Sequence, residues 1–180
     1  PTDVRLISEL AFTLVKQLKE NGVAVKYDDD DLKKPGWKFA EYELKGVPLR
    51  IEIGPKDLEK GTVEIARRDN LTKQFIKQED VVSTVQTLLH QIQEDLFSKA
   101  VSFNEANSHE ASSVDEMNEI LNRNGGFVYA FWDGKKETEL KIKDLTKATI
   151  RCIPEGEPSK GKCVLPGSKD AVKVVFARAY

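Results

Sequence analysis

A chain of 180 residues with 39% hydrophobic and 32% charged side chains has room for one large domain or two small ones, each with its own core. It holds no run of about 18 apolar residues, and Pro1–Leu10 lacks the basic start and apolar stretch of a secretory leader, so neither a membrane span nor a signal peptide is expected. Two cysteines, Cys152 and Cys163, are too few for a disulfide framework and fit a reducing, cytoplasmic setting, while a formal net charge of −2 argues at first against a nucleic-acid partner.

In chain order, Leu6, Ile7, Leu10, Leu14, Val15 and Leu18 recur at helical spacing, and Asn21-Gly22 supplies a stop. Val23–Tyr27 reads as a short buried strand, so the chain opens as helix then strand, the start of an α/β layer. Asp28 to Asp31 and Lys33-Lys34-Pro35-Gly36 form a charged, broken loop, and Trp37–Glu43 fits either an alternating strand or a helix. Val47–Gly54 is a strand with alternating faces, Gly54–Asp57 a turn, and Gly61–Ala66 a further strand. Val81, Val85, Leu88, Leu89, Ile92 and Leu96 mark a long amphipathic helix, with Glu79 and Asp80 near its positive N-terminal end.

The polar stretch 104–113, rich in Asn, Ser and Glu, is expected to link a domain at 1–103 to a second at 114–180. In the second, Val114–Asn124 reads as a helix stopped by Gly125-Gly126, Phe127–Trp132 as a strand, and Glu139–Lys147 as a short helix. Thr149–Ile153, Lys162–Leu165 and Val172–Phe176 read as strands, the last two joined across Pro166-Gly167.

The net charge hides a segregation. Residues 33–77 carry 11 basic and 7 acidic side chains, net +4; residues 78–122 carry 1 and 9, net −8; residues 123–180 carry 12 and 7, net +5. Local positive fields of this kind suit a polyanion. No glycine-rich phosphate loop or paired-histidine metal motif is present, and His90 and His109 fit ordinary surface or edge-of-core positions. Asp28–Asp31 lacks the alternating ligand spacing and glycine of a calcium loop and reads as a solvated acidic segment.

Residues Pro35–Glu59 follow the pattern W-K-F-x-x-x-E-x-x-G-V-P-x-R-x-E-x-G-P-x-D-L-E from Trp37 onward. This stretch closely resembles the anticodon-binding domain of class II prolyl-tRNA synthetases, a mixed α/β fold shared in outline with the histidyl, threonyl and glycyl enzymes. Gly125-Gly126-Phe127 before Trp132, Ile142-Lys143, Ala148–Pro154 and the closing Phe176–Tyr180 resemble the extra C-terminal domain of the archaeal and eukaryotic-type enzyme. The resemblance implies an α/β anticodon-binding fold with a mixed sheet, its first strand missing here, followed by a small α+β domain. It also implies a parent proline-tRNA ligase that uses ATP and Mg, a homodimer, whose catalytic domain lies upstream in the same chain, with proline tRNA, tRNA(Pro), as partner and neither DNA nor membrane. The alternative is a stand-alone RNA-binding or protein-interaction module that reuses the fold.

Proline anticodons carry guanine at the second and third positions. A guanine shows two N–H donors on its Watson–Crick edge, which suit a carboxylate, and O6 and N7 acceptors, which suit Arg or Lys. By resemblance Glu43 and Arg50 read the first of these guanines, Asp57 and Lys73 the next, and Phe39 stacks near the bases. Lys33, Lys34, Lys38, Lys45, Arg67 and Arg68 would then supply phosphate contacts independent of sequence. Arg50 and Glu52 also lie two apart on one strand face, a spacing that suits a structural ion pair. In the family the terminal tyrosine, here Tyr180, reaches toward the catalytic domain. Relatives hold zinc through four cysteines, but Asp133 and Lys135–Thr138 follow Trp132 here, and Leu165 and Pro166 stand near Cys163, so no structural zinc is expected.

Overall fold

A computed structural model describes residues 2–156, 160–167 and 170–179. The chain forms two compact units that divide between Ser98 and Lys99.

The first unit begins with helix α1 (Thr2–Glu20), whose Leu14 and Leu18, one turn apart, are buried against Val63, Ile65, Val81, Val85 and Leu88. Val23–Tyr27, expected as a strand, enters no sheet among the described residues. Val23 and Val25 still pack on the core, so the apolar alternation reported a buried side correctly. A strand also needs a hydrogen-bonded neighbour, which alternation does not supply. Trp37–Glu43 falls within helix α2 (Pro35–Leu44), started by Pro35 in the first turn and ended at Gly46 (φ +80°), with Val47 N–H donating to Tyr42 O at 3.0 Å.

Strands β1 (Leu49–Glu52), β2 (Thr62–Arg67) and β3 (Lys73–Lys77) make an antiparallel sheet in the order β1-β2-β3. Without Val23–Tyr27 in the ladder this sheet is antiparallel throughout rather than mixed. The Gly54–Asp57 turn opens a short helix, α3 (Pro55–Lys60). Strand β3 has no counterpart among the elements expected from the sequence: only Ile76 of its five residues is half-buried, too little apolar signal for an edge strand. A 3-10 turn (Gln78–Asp80) leads into α4 (Val81–Ala106), which buries Val81, Val85, Leu88 and Ile92 and then continues with mostly exposed side chains into the stretch expected to be a linker. Helical periodicity ends where burial ends, while the backbone hydrogen bonds continue to Ala106.

In the second unit β4 (Ser108–Glu110) pairs parallel with β5 (Phe127–Trp132), and β6 (Ala148–Cys152) and β7 (Val172–Arg178) complete a mixed sheet in the order β4-β5-β7-β6. Gly126 (φ +82°) lets the chain pass Asn107, whose carbonyl would lie 2.4 Å from an added Cβ. Helices α5 (Val114–Arg123) and α6 (Lys136–Thr146) bury Met117, Leu121 and Ile142 against Val128, Ala130, Val174 and Phe176 of the sheet. Ser113 caps α5 by accepting Glu116 N–H at 3.2 Å. Lys162–Leu165, expected as a strand, makes none. Cys163 and Val164 are buried and Val164 N–H donates to Phe131 O at 3.0 Å, so this segment packs on the sheet through side chains and one backbone bond rather than a ladder.

Candidate nucleic-acid interface

Helix α2 puts Phe39 and Glu43 one turn apart on the same side. Strand β1 brings Arg50 to both of them. Its guanidinium carbon lies 3.8 Å from the centroid of the Phe39 ring, Nη1 donates to Glu43 Oε1 at 2.9 Å, and Nε donates to Glu52 Oε1 at 2.9 Å. The sheet register extends the cluster: Arg50, Ala66 and Lys73 form one cross-strand row, and Glu52, Glu64 and Phe75 the next. These rows share the face opposite the buried Val63 and Ile65, because successive side chains alternate. Lys73 Nζ stands 2.5 Å from Glu64 Oε1 and 3.6 Å from Glu52 Oε1, and the Glu64 hydrogen bond raises its pKa. Glu43, Arg50, Glu52, Lys73 and Glu64 therefore make one alternating chain of charges.

The cluster keeps unused capacity. Among the described residues Arg50 Nη2 has no protein acceptor and Glu43 Oε2 no protein donor, so the ion pair, whose guanidinium lies over an aromatic ring, retains one open donor group and one open acceptor. Such a pair suits a planar ligand that presents both kinds of group on its edges. Asp57 has a separate task in the first turn of α3, where its Oδ2 accepts Gly54 N–H at 2.9 Å and holds the carboxylate at the helix entrance.

The six candidate phosphate residues fall into three groups. Lys34 and Arg68 are exposed, with no ion pair among the described residues, and Arg68 lines a shallow cleft with Tyr42, Glu43 and Arg50. Lys33 lies 3.9 Å from the Trp37 ring centroid and 3.7 Å from Asp30, and Lys45 pairs with Glu41 at 2.5 Å while remaining more than half exposed. Lys38 and Arg67 are largely covered. Lys38 Nζ lies 2.9 Å from Asp28 Oδ1 and its hydrogen bond pulls the Asp28 carboxyl down to about 2. Arg67 donates to both Asp69 oxygens, at 3.0 and 2.7 Å, and to Asp95 at 2.6 Å. The acidic loop read as solvated is thus partly a strut, since Asp28 anchors α2 through Lys38. Tyr180 lies outside the described residues. Among the described residues no three His, Cys, Asp or Glu side chains gather as a metal site; Cys152 is exposed, Cys163 is buried, and Asp133 accepts from Lys135 N and Thr138 Oγ1.

Residues 4–88 match the anticodon binding domain family, and residues 114–180 match the prolyl-tRNA synthetase C-terminal family. The two domains are those of the C-terminal part of a prolyl-tRNA synthetase. The chain is 54% identical over 175 residues to a proline–tRNA ligase of Christiangramia forsetii, an alignment that takes in 97% of this chain and 36% of the relative. It is 52% identical over 168 residues to that of Flavobacterium johnsoniae (93% and 34%) and 49% identical over 175 residues to that of Porphyromonas gingivalis (97% and 35%). The chain therefore spans about a third of the length of the curated relatives it matches. These relatives are bacterial, so the C-terminal domain is not confined to archaeal and eukaryotic enzymes.

Within the anticodon-binding domain, sequence reasoning named Phe39, Glu43, Arg50 and Lys73 and missed Glu64, which ties Lys73 to the sheet face. The i, i+2 spacing of Glu64 with Ala66 and of Lys73 with Phe75 held that signal, but only a recognised β3 makes it readable.

Proposed function

We propose that this chain reads the anticodon of proline tRNA on behalf of a longer proline-tRNA ligase. The observation that carries the reading is the Phe39–Arg50–Glu43 arrangement, with Arg50 Nη2 and Glu43 Oε2 left open beside a ring. In this reading Arg50 donates to O6 and N7 of the guanine at the second anticodon position and Glu43 accepts from its N1–H and N2–H groups. Lys73 and Asp57 do the same for the third position. Lys73 is half exposed, and its ammonium has three donors to share between Glu64, Glu52 and a base. Lys33, Lys34, Lys45 and Arg68 contact phosphates, whereas Lys38 and Arg67 would first have to leave their carboxylates.

The anticodon-reading part is assigned to 1–103 and a supporting domain to 114–180. The parent enzyme has the archaeal and eukaryotic-type arrangement, works in the cytoplasm as a homodimer, and binds ATP and Mg on a catalytic domain for which Tyr180 is the contact residue assigned in this chain. That chemistry belongs to the catalytic domain, and no step of it is assigned to residues of this chain.

The test is titration of the chain with proline tRNA transcripts altered singly at the second and third anticodon positions, at physiological salt. Guanine to adenine replaces the O6 acceptor by a donor and removes the N1–H and N2 donors, a loss of about 1–3 kcal/mol for a bidentate contact. Arg50→Ala should weaken the cognate transcript and the one altered at the third position, and leave the one altered at the second position unchanged, while Arg68→Ala should weaken all transcripts alike and reduce the salt slope by about 1. Equal affinity of the unmodified chain for cognate and altered transcripts would overturn the assignment.

A further inference from the structure

Phe75 is 65% exposed, on the sheet face that carries the charge network rather than the core. The strand alternates the opposite way from an edge strand that buries its largest residue: Ile76 turns inward to the core, and Phe75 outward. A bare ring beside Lys73, Glu64 and Glu52 has no protein neighbour of its own kind among the described residues. The Phe39 ring sits at the other side of the same cluster, under Arg50. From β1 to β3 is two strand spacings, and Arg50 and Phe75 lie one cross-strand row apart, so the two sites stand about 12 Å from each other across the sheet. Stacked bases rise about 3.4 Å each, so a span of that size takes three or four stacked bases, or fewer when they are splayed. Aromatic side chains on an open sheet face are a recurrent platform for unpaired bases, and stacking on them is tolerant of base identity.

We infer that Phe75 is a second stacking platform, which holds a nucleobase of the anticodon loop on the Lys73 side of the site while Phe39 holds one on the Arg50 side. The inference rests on the anticodon-reading function proposed above. It assigns Phe75 to grip and loop geometry, because a phenyl ring reads no hydrogen-bond pattern, and leaves discrimination to the charged residues. Continuity with the Phe39–Arg50 stack favours a base over an apolar protein segment: the ring is isolated among charges, which would be desolvated under a protein partner but stay wet beside RNA.

The experiment uses the 180-residue chain and an anticodon stem-loop of proline tRNA carrying 2-aminopurine at one loop position at a time. In the unsubstituted chain, fluorescence at one position on the 3′ side of the loop should change on binding. Phe75→Leu, a surface replacement that keeps the fold as judged by circular dichroism, should abolish that change and weaken binding about tenfold for cognate and anticodon-altered loops alike. Phe75→Trp should restore affinity to within about twofold, because the π-face returns. Undiminished binding and an unchanged fluorescence response in Phe75→Leu, with the unsubstituted chain still preferring the cognate anticodon, would overturn the Phe75 assignment alone. Loss of anticodon preference in the unsubstituted chain would overturn both this inference and the function on which it rests.

Discussion

Arg67 separates a structural cation from an RNA-binding one. Arg67→Met keeps an unbranched apolar stem and removes the guanidinium with its three charge-assisted hydrogen bonds, two to Asp69 and one to Asp95. The cost falls unequally on the partners. Asp95 is 60% exposed and rehydrates, so its share is small, about 0.5 kcal/mol, as for other exposed pairs. The Asp69 side chain is 7% exposed, and Arg67 is the main cause of its lowered pKa; without Arg67 it is a covered carboxylate facing no cation. Breaking a buried pair costs about 3–5 kcal/mol. Asp69 lies in the β2–β3 turn, where rotation or protonation offers partial relief, which brings the expected loss to about 2–3 kcal/mol. Asp95→Ala should cost about 0.5 kcal/mol, and Arg67→Met combined with Asp69→Asn should recover more than half of the single-variant loss. The assay is urea unfolding with Trp132 replaced by Phe, so that Trp37 alone reports the first unit. Arg67→Met costing no more than Asp95→Ala would show that the Arg67–Asp69 pair is not a structural one. A drop in the salt slope of RNA binding by about 1 for the folded variant would move Arg67 to the phosphate contacts instead.

Asp28→Asn removes a carboxyl that the Lys38 hydrogen bond lowers from 3.8 to about 2. A lowered folded pKa means that the unfolded chain takes up the proton first as pH falls, so this stabilisation is complete above about pH 5 and is lost on descending through pH 4 to 2. The gap in urea midpoint between the unsubstituted chain and Asp28→Asn should therefore shrink over that window, and a gap independent of pH would contradict it. Thr146, fully buried, donates to Ile142 O at 2.7 Å and accepts Ala148 N–H at 3.1 Å, so Thr146→Val orphans a buried backbone donor and should destabilise the second unit by about 1–3 kcal/mol in thermal or urea unfolding. A loss below about 0.5 kcal/mol would show that water or a backbone shift satisfies that N–H.

Elements whose burial repeats along one segment are legible from the residues alone. Leu14 with Leu18, and Val81, Val85, Leu88 and Ile92, state where α1 and α4 meet a core, and the alternation of Leu49 and Ile51 with Arg50 and Glu52 in β1, and of Val63 and Ile65 with Thr62 and Glu64 in β2, states which side of each strand is covered. The run from Trp37 to Glu59 likewise carried Phe39, Glu43 and Arg50 in the pattern from which the role proposed for them is drawn. Periodicity fails where burial is absent or where pairing decides. It gave no end to α4 beyond Leu96, no β3, and a strand at Val23–Tyr27 that has the buried side but no ladder. Nor does it rank cations. Arg67 and Arg68 are adjacent and chemically identical, yet only Arg67 meets Asp69 and the distant Asp95, while Arg68 stays exposed. Arg50 is seven residues from Glu43, and the two meet at 2.9 Å only because the fold brings the Phe39–Glu43 side of α2 to Arg50 of β1. Charge pairs between elements depend on distances that only the tertiary structure fixes, because the interaction falls off with separation in space and takes no account of separation along the chain.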